Sequence, residues 1–168
     1  MVSQRRSAGA LLRAEVAEIS TAWVPFGPYR DAPGGRVRYE RDLAGVVASF
    51  EPDWILCLGW MHVLGTAFLD RFPGRVVNLH PALPGAMPGR DAIERTWAAW
   101  QAGDVTSAGV MMHVVVPELD AGPVLAVRAV PLTVDDTFDS FEARMHDAEH
   151  ELVADVVTAL VMAEQPGD

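Results

Sequence analysis

Apolar runs and helix-spaced apolar residues follow one another along the chain, and they predict strands and helices in turn. In the last predicted helix the apolar residues stand three or four positions apart, which keeps them on one face. Helices are predicted at 7–18, 36–51, 91–103 and 136–163, with a helical turn at 66–71. Strands are predicted at 21–25, 54–58, 76–79, 109–116 and 124–132. Strands that alternate with helices predict an α/β fold.

Three local patterns add detail to this α/β fold. The run Trp54–Leu58 is almost continuously apolar, which is typical of a central strand covered on both faces. Asp91 and Glu94 resemble a capping box at the start of a helix. The two late strands flank a short turn at 117–123, which favours antiparallel neighbours. We therefore expect a mostly parallel sheet with an antiparallel edge.

The length and composition of the chain indicate one cored domain over residues 1–168. The chain has 168 residues, of which 50% are hydrophobic, and this length is short for two domains. No apolar run approaches the length of a membrane span, and residues 1–6 lack the apolar segment of a signal peptide. We therefore expect a cytoplasmic protein with no membrane partner. The single cysteine, Cys57, excludes an intramolecular disulfide.

The charge of the chain argues against a nucleic-acid partner. The formal net charge is -10, and residues 134–168 contribute ten acidic side chains against one basic one, Arg144. Apolar residues interrupt this acidic segment at helical spacing, so it is typical of a solvated helix face. All thirteen basic residues are arginine, which excludes a Walker-type phosphate loop and a Schiff-base lysine.

Three polar residues stand where an α/β sheet commonly carries its chemistry. Asn78 and His80 are two positions apart at the end of a predicted buried strand, so they share a face, and a proline- and glycine-rich loop follows. Asp120 lies in the later turn, where Gly122 and Pro123 restrict the path. Taken singly, each favours an ordinary role: a turn-capping amide, a core histidine and a turn acid. Together they predict a reaction centre.

The motifs that contain these residues resemble the folate-dependent formyltransferases. They are Asn78-Leu79-His80-Pro81, then Pro88-Gly89, then the segment 118–124, Glu-Leu-Asp-Ala-Gly-Pro-Val. Segments 59–64, 109–113 and 144–150 fit the family in the same order, so the resemblance covers nearly the whole chain. It implies a Rossmann-like formyltransferase fold. It is nearest to the members that formylate glycinamide ribonucleotide in de novo purine biosynthesis.

The resemblance implies a mechanism for Asn78, His80 and Asp120. The formyl donor would be 10-formyltetrahydrofolate and the acceptor a small-molecule amine. Negative charge develops on the formyl oxygen, and Asn78 together with a protonated His80 would donate hydrogen bonds to it. Asp120 would favour the charged form of His80 and take the proton that the amine loses. Loss of either donor is expected to cost about 100- to 1,000-fold in turnover. No metal is required.

The resemblance also implies binding residues. The pterin is expected between residues 61–64 and the loop before Asp120, at Met61, His62, Val63, Leu64, Val116, Pro117 and Glu118. The amine substrate is expected at Pro88, Gly89, His146 and Glu149, with His113 supporting the centre. Ordinary alternatives remain open. Met61, Val63 and Leu64 fit plain core packing, and His146 and Glu149 fit a solvated helix face.

The start of the chain departs from the family pattern. Members of the family begin with a strand, a Gly/Ser/Asn-rich loop that binds the phosphate, and a helix. This chain is expected to begin inside the family's second repeat unit, which predicts an N-terminally incomplete sheet. Either the sequence is truncated, or it is a natural short form with an altered substrate or no activity. His62 stands where the family commonly has arginine.

Two other functions remain possible from the sequence. One is a folate-binding or scaffold protein with little or no transferase activity. The other is a metal hydrolase that uses His80, His113 and Asp120, which is less favoured because these three residues do not form a His-x-x-x-His ligand pair. A homodimer that covers an exposed sheet edge is also expected, because unpaired edges invite pairing.

Overall fold

A computed structural model of the chain describes residues 1–163, so the last five residues of the predicted domain lie outside the described residues. The strands are β1 (Val2–Ser3), β2 (Ala22–Trp23), β3 (Ile55–Cys57), β4 (Val76–His80), β5 (Ala108–Val114) and β6 (Val124–Val130). The helices are α1 (Gly9–Val16), α2 (Gly35–Ala48), α3 (Thr66–Leu69), α4 (Ala92–Gln101) and α5 (Phe138–Ala163). Within residues 1–163, no helix combines the length and the apolar character that crossing a membrane requires.

The chain divides into two compact units, and the first comprises residues 1–53 and 64–73. In this unit β1 and β2 form a parallel pair, with Val2 opposite Ala22. Helix α2 packs against α3, and Tyr39 and Phe68 are almost completely buried. Strand β1 was not predicted, because its two residues lie in a polar segment with no apolar run.

The second unit comprises residues 54–63 and the chain from residue 74 onward, and it contains a four-stranded sheet. The strand order is β3-β4-β5-β6, with β3 and β4 parallel and the two later pairings antiparallel. The α/β fold with antiparallel late strands is therefore confirmed. The prediction that Trp54–Leu58 forms a central strand is wrong for this sheet, in which β3 is an outer strand. An apolar run indicates covered faces but does not indicate how many strands lie beside it.

Helix α5 packs on β5 and β6 of the four-stranded sheet, and α4 packs against α5. The core of this unit joins strand residues to α5, and its most buried members are Val77, Val110, Met112, Phe141 and Met145. The ring of Trp97 on α4 stacks on Phe141 at a centroid distance of 5.6 Å. The carboxyl end of β4 is therefore held by a tightly packed scaffold.

The starts of α4 and α5 differ from their predicted form. Asp91 has a left-handed backbone (φ 55°) and its side chain makes no capping hydrogen bond, so the predicted capping box is absent there. A capping residue normally has an extended backbone, which the left-handed loop end at Asp91 prevents. Helix α5 begins at Phe138 rather than Asp136. At its start the backbone N–H of Thr137 donates to the Ser140 hydroxyl oxygen, and the N–H of Ser140 donates to that of Thr137.

Candidate active site

Strands β4 and β5 bring the predicted catalytic residues together at one end of the sheet. Asn78 and His80 lie on β4, and His113 lies directly opposite Asn78 on β5. Asp120 follows in the turn between β5 and β6. The side chains of His80, His113 and Asp120 are largely buried and Asn78 is half-buried, and all four belong to the same compact unit. The fold of this unit therefore brings these four side chains into one cluster.

The carboxylate of Asp120 lies at the centre of this cluster. Its Oδ2 atom accepts a hydrogen bond from the Gly89 N–H over 2.7 Å and lies 3.7 Å from Nδ1 of His80. Its Oδ1 atom is 3.5 Å from Nδ2 of Asn78 and 3.7 Å from Nε2 of His113. Each carboxylate oxygen thus faces one histidine and one N–H donor. This arrangement is suited to receiving a proton from a substrate held nearby.

The turn that presents Asp120 depends on a glycine. A Cβ atom at Gly122 would lie 1.8 Å from the carbonyl oxygen of Val114, so only glycine allows the turn to fold back on β5. Asp120 itself has φ 51°, in the left-handed region where aspartate is one of the better tolerated residues. Backbone geometry therefore explains both the aspartate at position 120 and the glycine at position 122.

The orientation of the Asn78 amide follows from its neighbours. Nδ1 of His113 lies 3.0 Å from the carbonyl oxygen of Val114, so in the neutral ring this nitrogen carries the proton and Nε2 is an acceptor. The Nδ2 group of Asn78 then donates one N–H to Nε2 of His113 over 3.3 Å and directs the other at Asp120. Both amide protons are engaged, which leaves Oδ1 of Asn78 as the atom without a donor in this network.

His80 favours its neutral form, contrary to the predicted protonated state. Burial lowers its pKa and outweighs the Asp120 carboxylate and the Met87 carbonyl, both of which raise it. Nε2 lies 3.1 Å from the Met87 carbonyl oxygen, so Nε2 carries the proton of the neutral ring and Nδ1 faces Asp120 without one. Burial and a nearby carboxylate shift this pKa in opposite directions, and their balance cannot be derived from sequence alone.

An open cavity of about 380 Å³ borders Asp120. Its wall combines the loop after β4 with the turn around Asp120, at Pro84, Gly85, Ala86, Pro88, Met111, Leu119, Asp120, Ala121, Gly122 and Val124. Most of these side chains are apolar, and the carboxylate is the single charged group. The cavity therefore gives a ligand access to the catalytic cluster from one side.

The residues predicted to contact the pterin differ in exposure. Met61 and Val63 are 58% and 49% exposed, so plain core packing does not account for them, whereas Leu64 is buried at 4%. Val116 is half-buried, and Pro117 and Glu118 are exposed. The side chains of Met61 and Val63 are therefore accessible to a ligand, whereas that of Leu64 is not.

The predicted substrate residues on α5 form a pair of their own. Nδ1 of His146 lies 2.7 Å from Oε2 of Glu149, and within residues 1–163 neither side chain has a hydrogen bond or ion pair to the Asp120 cluster. Two residues at the site were not predicted. Met87 contributes only its backbone carbonyl, and the Arg95 guanidinium donates to a backbone carbonyl of the loop. Because both contacts involve loop backbone, no pattern of side chains in the sequence indicates them. Among residues 1–163, no group of three or more His, Cys, Asp or Glu side chains is placed to hold a metal ion.

Comparison with known proteins identifies the family. Residues 1–157 match the formyl transferase family model. The phosphoribosylglycinamide formyltransferase of Schizosaccharomyces pombe is 35% identical over 167 residues, covering 96% of this chain and 81% of that protein. Its counterpart in Escherichia coli K12 is 32% identical over 160 residues, covering 93% and 70%. The crystal structure of phosphoribosylglycinamide formyltransferase from Streptococcus pneumoniae superposes with a TM-score of 0.83 at 34% identity, covering 95% and 84% of the two chains. The predicted resemblance and the Rossmann-like formyltransferase fold are thereby confirmed, and the chain belongs to the formyl transferase family.

Proposed function

We propose that this chain transfers a formyl group from 10-formyltetrahydrofolate to the amine of glycinamide ribonucleotide, a step of de novo purine biosynthesis. The observation that carries the proposal is the Asp120 carboxylate held between Asn78, His80 and His113 at the end of β4. The similar proteins are named phosphoribosylglycinamide formyltransferases, which supports this acceptor. The comparisons favour a transferase over the folate-binding scaffold considered from the sequence.

The folate supplies the formyl carbon, and the residues of this chain handle the charge and the proton. As the amine nitrogen bonds to that carbon, negative charge develops on the formyl oxygen. The Nε2–H of neutral His80 is one donor for it, once its bond to the Met87 carbonyl is exchanged. Asn78 is the second donor, through the N–H whose bond to Asp120 is long, at 3.5 Å. In each exchange the formyl oxygen takes the place of the earlier acceptor, so the donor stays satisfied.

Asp120 accepts the proton that the amine nitrogen loses, directly or through a water molecule. Its Oδ1 atom is the one available, because Oδ2 already accepts the Gly89 N–H over 2.7 Å. When the bond between the formyl carbon and the folate nitrogen breaks, that nitrogen takes up a proton, and protonated Asp120 returns it directly or through water. General acid–base catalysis of this kind contributes about 100- to 10,000-fold.

The substrate contacts are proposed at the binding residues that were predicted from the sequence. Met61, His62 and Val63, together with the segment 116–118, are proposed to hold the pterin. Leu64 is proposed to act indirectly, because its side chain is buried. The amine is proposed to lie against Pro88 and Gly89.

The ribonucleotide is proposed to contact α5. His146 and Glu149 are the candidates, because their paired side chains supply a donor and an acceptor for hydroxyl groups. Glu149 is the less exposed of the two, with 17% of its side chain accessible against 52% for His146.

The test is a formyl-transfer assay that follows loss of 10-formyltetrahydrofolate with glycinamide ribonucleotide as acceptor. We expect turnover by the wild type and a loss of about 100-fold or more in kcat for Asp120→Asn, which keeps the shape but removes the proton acceptor. Asp104→Asn, at an exposed residue after α4, is the matched control and should retain full activity. Wild-type protein that binds the folate but transfers nothing to glycinamide ribonucleotide would contradict the proposal.

A further inference from the structure

A single peptide group joins the carboxylate of Asp120 to an arginine on the following helix. Its N–H, on Gly89, donates to Oδ2 of Asp120 over 2.7 Å. Its carbonyl, on Pro88, accepts a hydrogen bond from Nη1 of Arg95, also over 2.7 Å. The same guanidinium nitrogen lies 3.4 Å from the carbonyl oxygen of Arg90. Arg95 therefore holds the carbonyls on both sides of Gly89.

The loop that carries this peptide group has little regular structure to fix it. Every second residue has a left-handed backbone, with φ of 76° at Gly85, 46° at Met87, 87° at Gly89 and 55° at Asp91. Glycine adopts such angles freely, so the backbone at Gly89 does not by itself determine where its N–H points. Side-chain hydrogen bonds must set this direction, and those of Arg95 are the ones present on the carbonyl side of the peptide.

We propose that Arg95 is a positioning residue, which acts on Asp120 through the Pro88–Gly89 peptide without touching substrate. A hydrogen bond from a charged donor is stronger than one between neutral groups. Hydrogen bonds in a chain also polarise one another, so the guanidinium strengthens the bond from Gly89 to Oδ2 of Asp120.

The held carboxylate then keeps a fixed orientation towards its other neighbours. With Oδ2 occupied by Gly89, Oδ1 stays turned towards Asn78, which is where the proton from the amine is received in the proposed function on which this inference rests. Displacement of a catalytic group by about 1 Å can cost on the order of 100-fold in rate. Arg95 thus contributes to kcat by fixing geometry.

The test compares three variants in the formyl-transfer assay. Arg95→Ala should lower kcat about 10- to 100-fold while the KM for 10-formyltetrahydrofolate changes less than about twofold. Arg95→Lys, which keeps a charged donor, should recover much of the loss, and so should millimolar guanidinium added to Arg95→Ala. Arg71→Ala, at an exposed arginine of the other unit, is the matched control and should match the wild type. An unchanged kcat, or a loss confined to KM, would overturn the proposal.

A second measurement does not depend on activity. In the free protein the Gly89 amide proton should exchange slowly with solvent and have a downfield NMR shift, because it is bonded to a carboxylate. Both properties should be lost in Arg95→Ala and retained in Arg71→Ala. A Gly89 proton that stays protected in Arg95→Ala overturns the role of Arg95. A wild type that transfers no formyl group overturns only the proposed function, so the two failures are distinguishable.

Discussion

At the scale of single residues, the site is a hydrogen-bond network in which each side-chain N–H already has an acceptor. His113 donates to a backbone carbonyl and accepts from Asn78, and Asn78 directs its second N–H at Asp120. His80 donates through Nε2 to Met87. In such a network a change of one protonation state changes the neighbours, so the state of His80 decides how catalysis depends on pH.

We predict that His80 acts as a neutral donor. Its pKa lies below the usual value near 6.5 because burial disfavours the imidazolium, so the ring is neutral above that pH. The ratio of kcat/KM for wild type to that for His80→Asn should therefore stay constant from about pH 6.5 to 8.5. Taking a ratio removes the titration of the amine substrate, which affects both proteins equally. A ratio that declines as the pH rises through this range would indicate a required imidazolium instead.

At the scale of elements, the turn between β5 and β6 has the most restrictive geometry. A side chain at Gly122 would overlap the Val114 carbonyl, and that carbonyl also accepts the His113 proton. Distortion of the turn would thus affect the presentation of Asp120 and the orientation of Asn78 together. Stability and activity are coupled at this one position.

We predict opposite effects for two glycine-to-alanine substitutions. Gly122→Ala should lower the free energy of unfolding by about 2 kcal/mol or more, because overlap with backbone can be relieved only by moving the turn. Gly45→Ala, in the exposed middle of α2 with no atom within 4 Å of the added Cβ, should raise it by about 0.5 to 1 kcal/mol. Urea unfolding of both variants measures the difference. A Gly122→Ala protein as stable as the wild type would show that the turn has another accessible conformation.

Most elements were predictable because their signals are local. The spacing of Phe141, Met145 and Leu152 defines α5, and the apolar runs define β4 and β5. The position of β3 at the edge of its sheet and the two-residue strand β1 could not be predicted, because strand pairing joins segments that are distant in sequence. At the site, the side chains of the Asn-x-His motif and of Asp120 were predictable, whereas the backbone contributions of Met87 and Gly89 follow from loop conformation alone.

At the scale of the whole molecule, the site depends on the four-stranded sheet remaining closed. Cys57 on β3 is the register partner of Asn78 on β4, so the single thiol of the chain lies beside the strand that carries the site. The homodimer expected over the sheet edge that the missing N-terminal unit would leave stays a prediction. Opening of the sheet would expose Cys57 and dismantle the site in the same event.

We predict that labelling of Cys57 reports this opening. Burial raises the pKa of its thiol to about 12, so at pH 8 the reactive thiolate is scarce in the folded state. The thiol should react with an aromatic disulfide reagent at least about 1,000-fold more slowly than a model peptide, and urea should accelerate the reaction over the concentrations at which transferase activity disappears. Cys57→Ala gives the background, because no other cysteine is present. Complete labelling within minutes, with activity retained, would show that β3 opens independently of the site. Labelling that accelerates together with the loss of activity would show that β3 and the catalytic residues of β4 open as one cooperative unit.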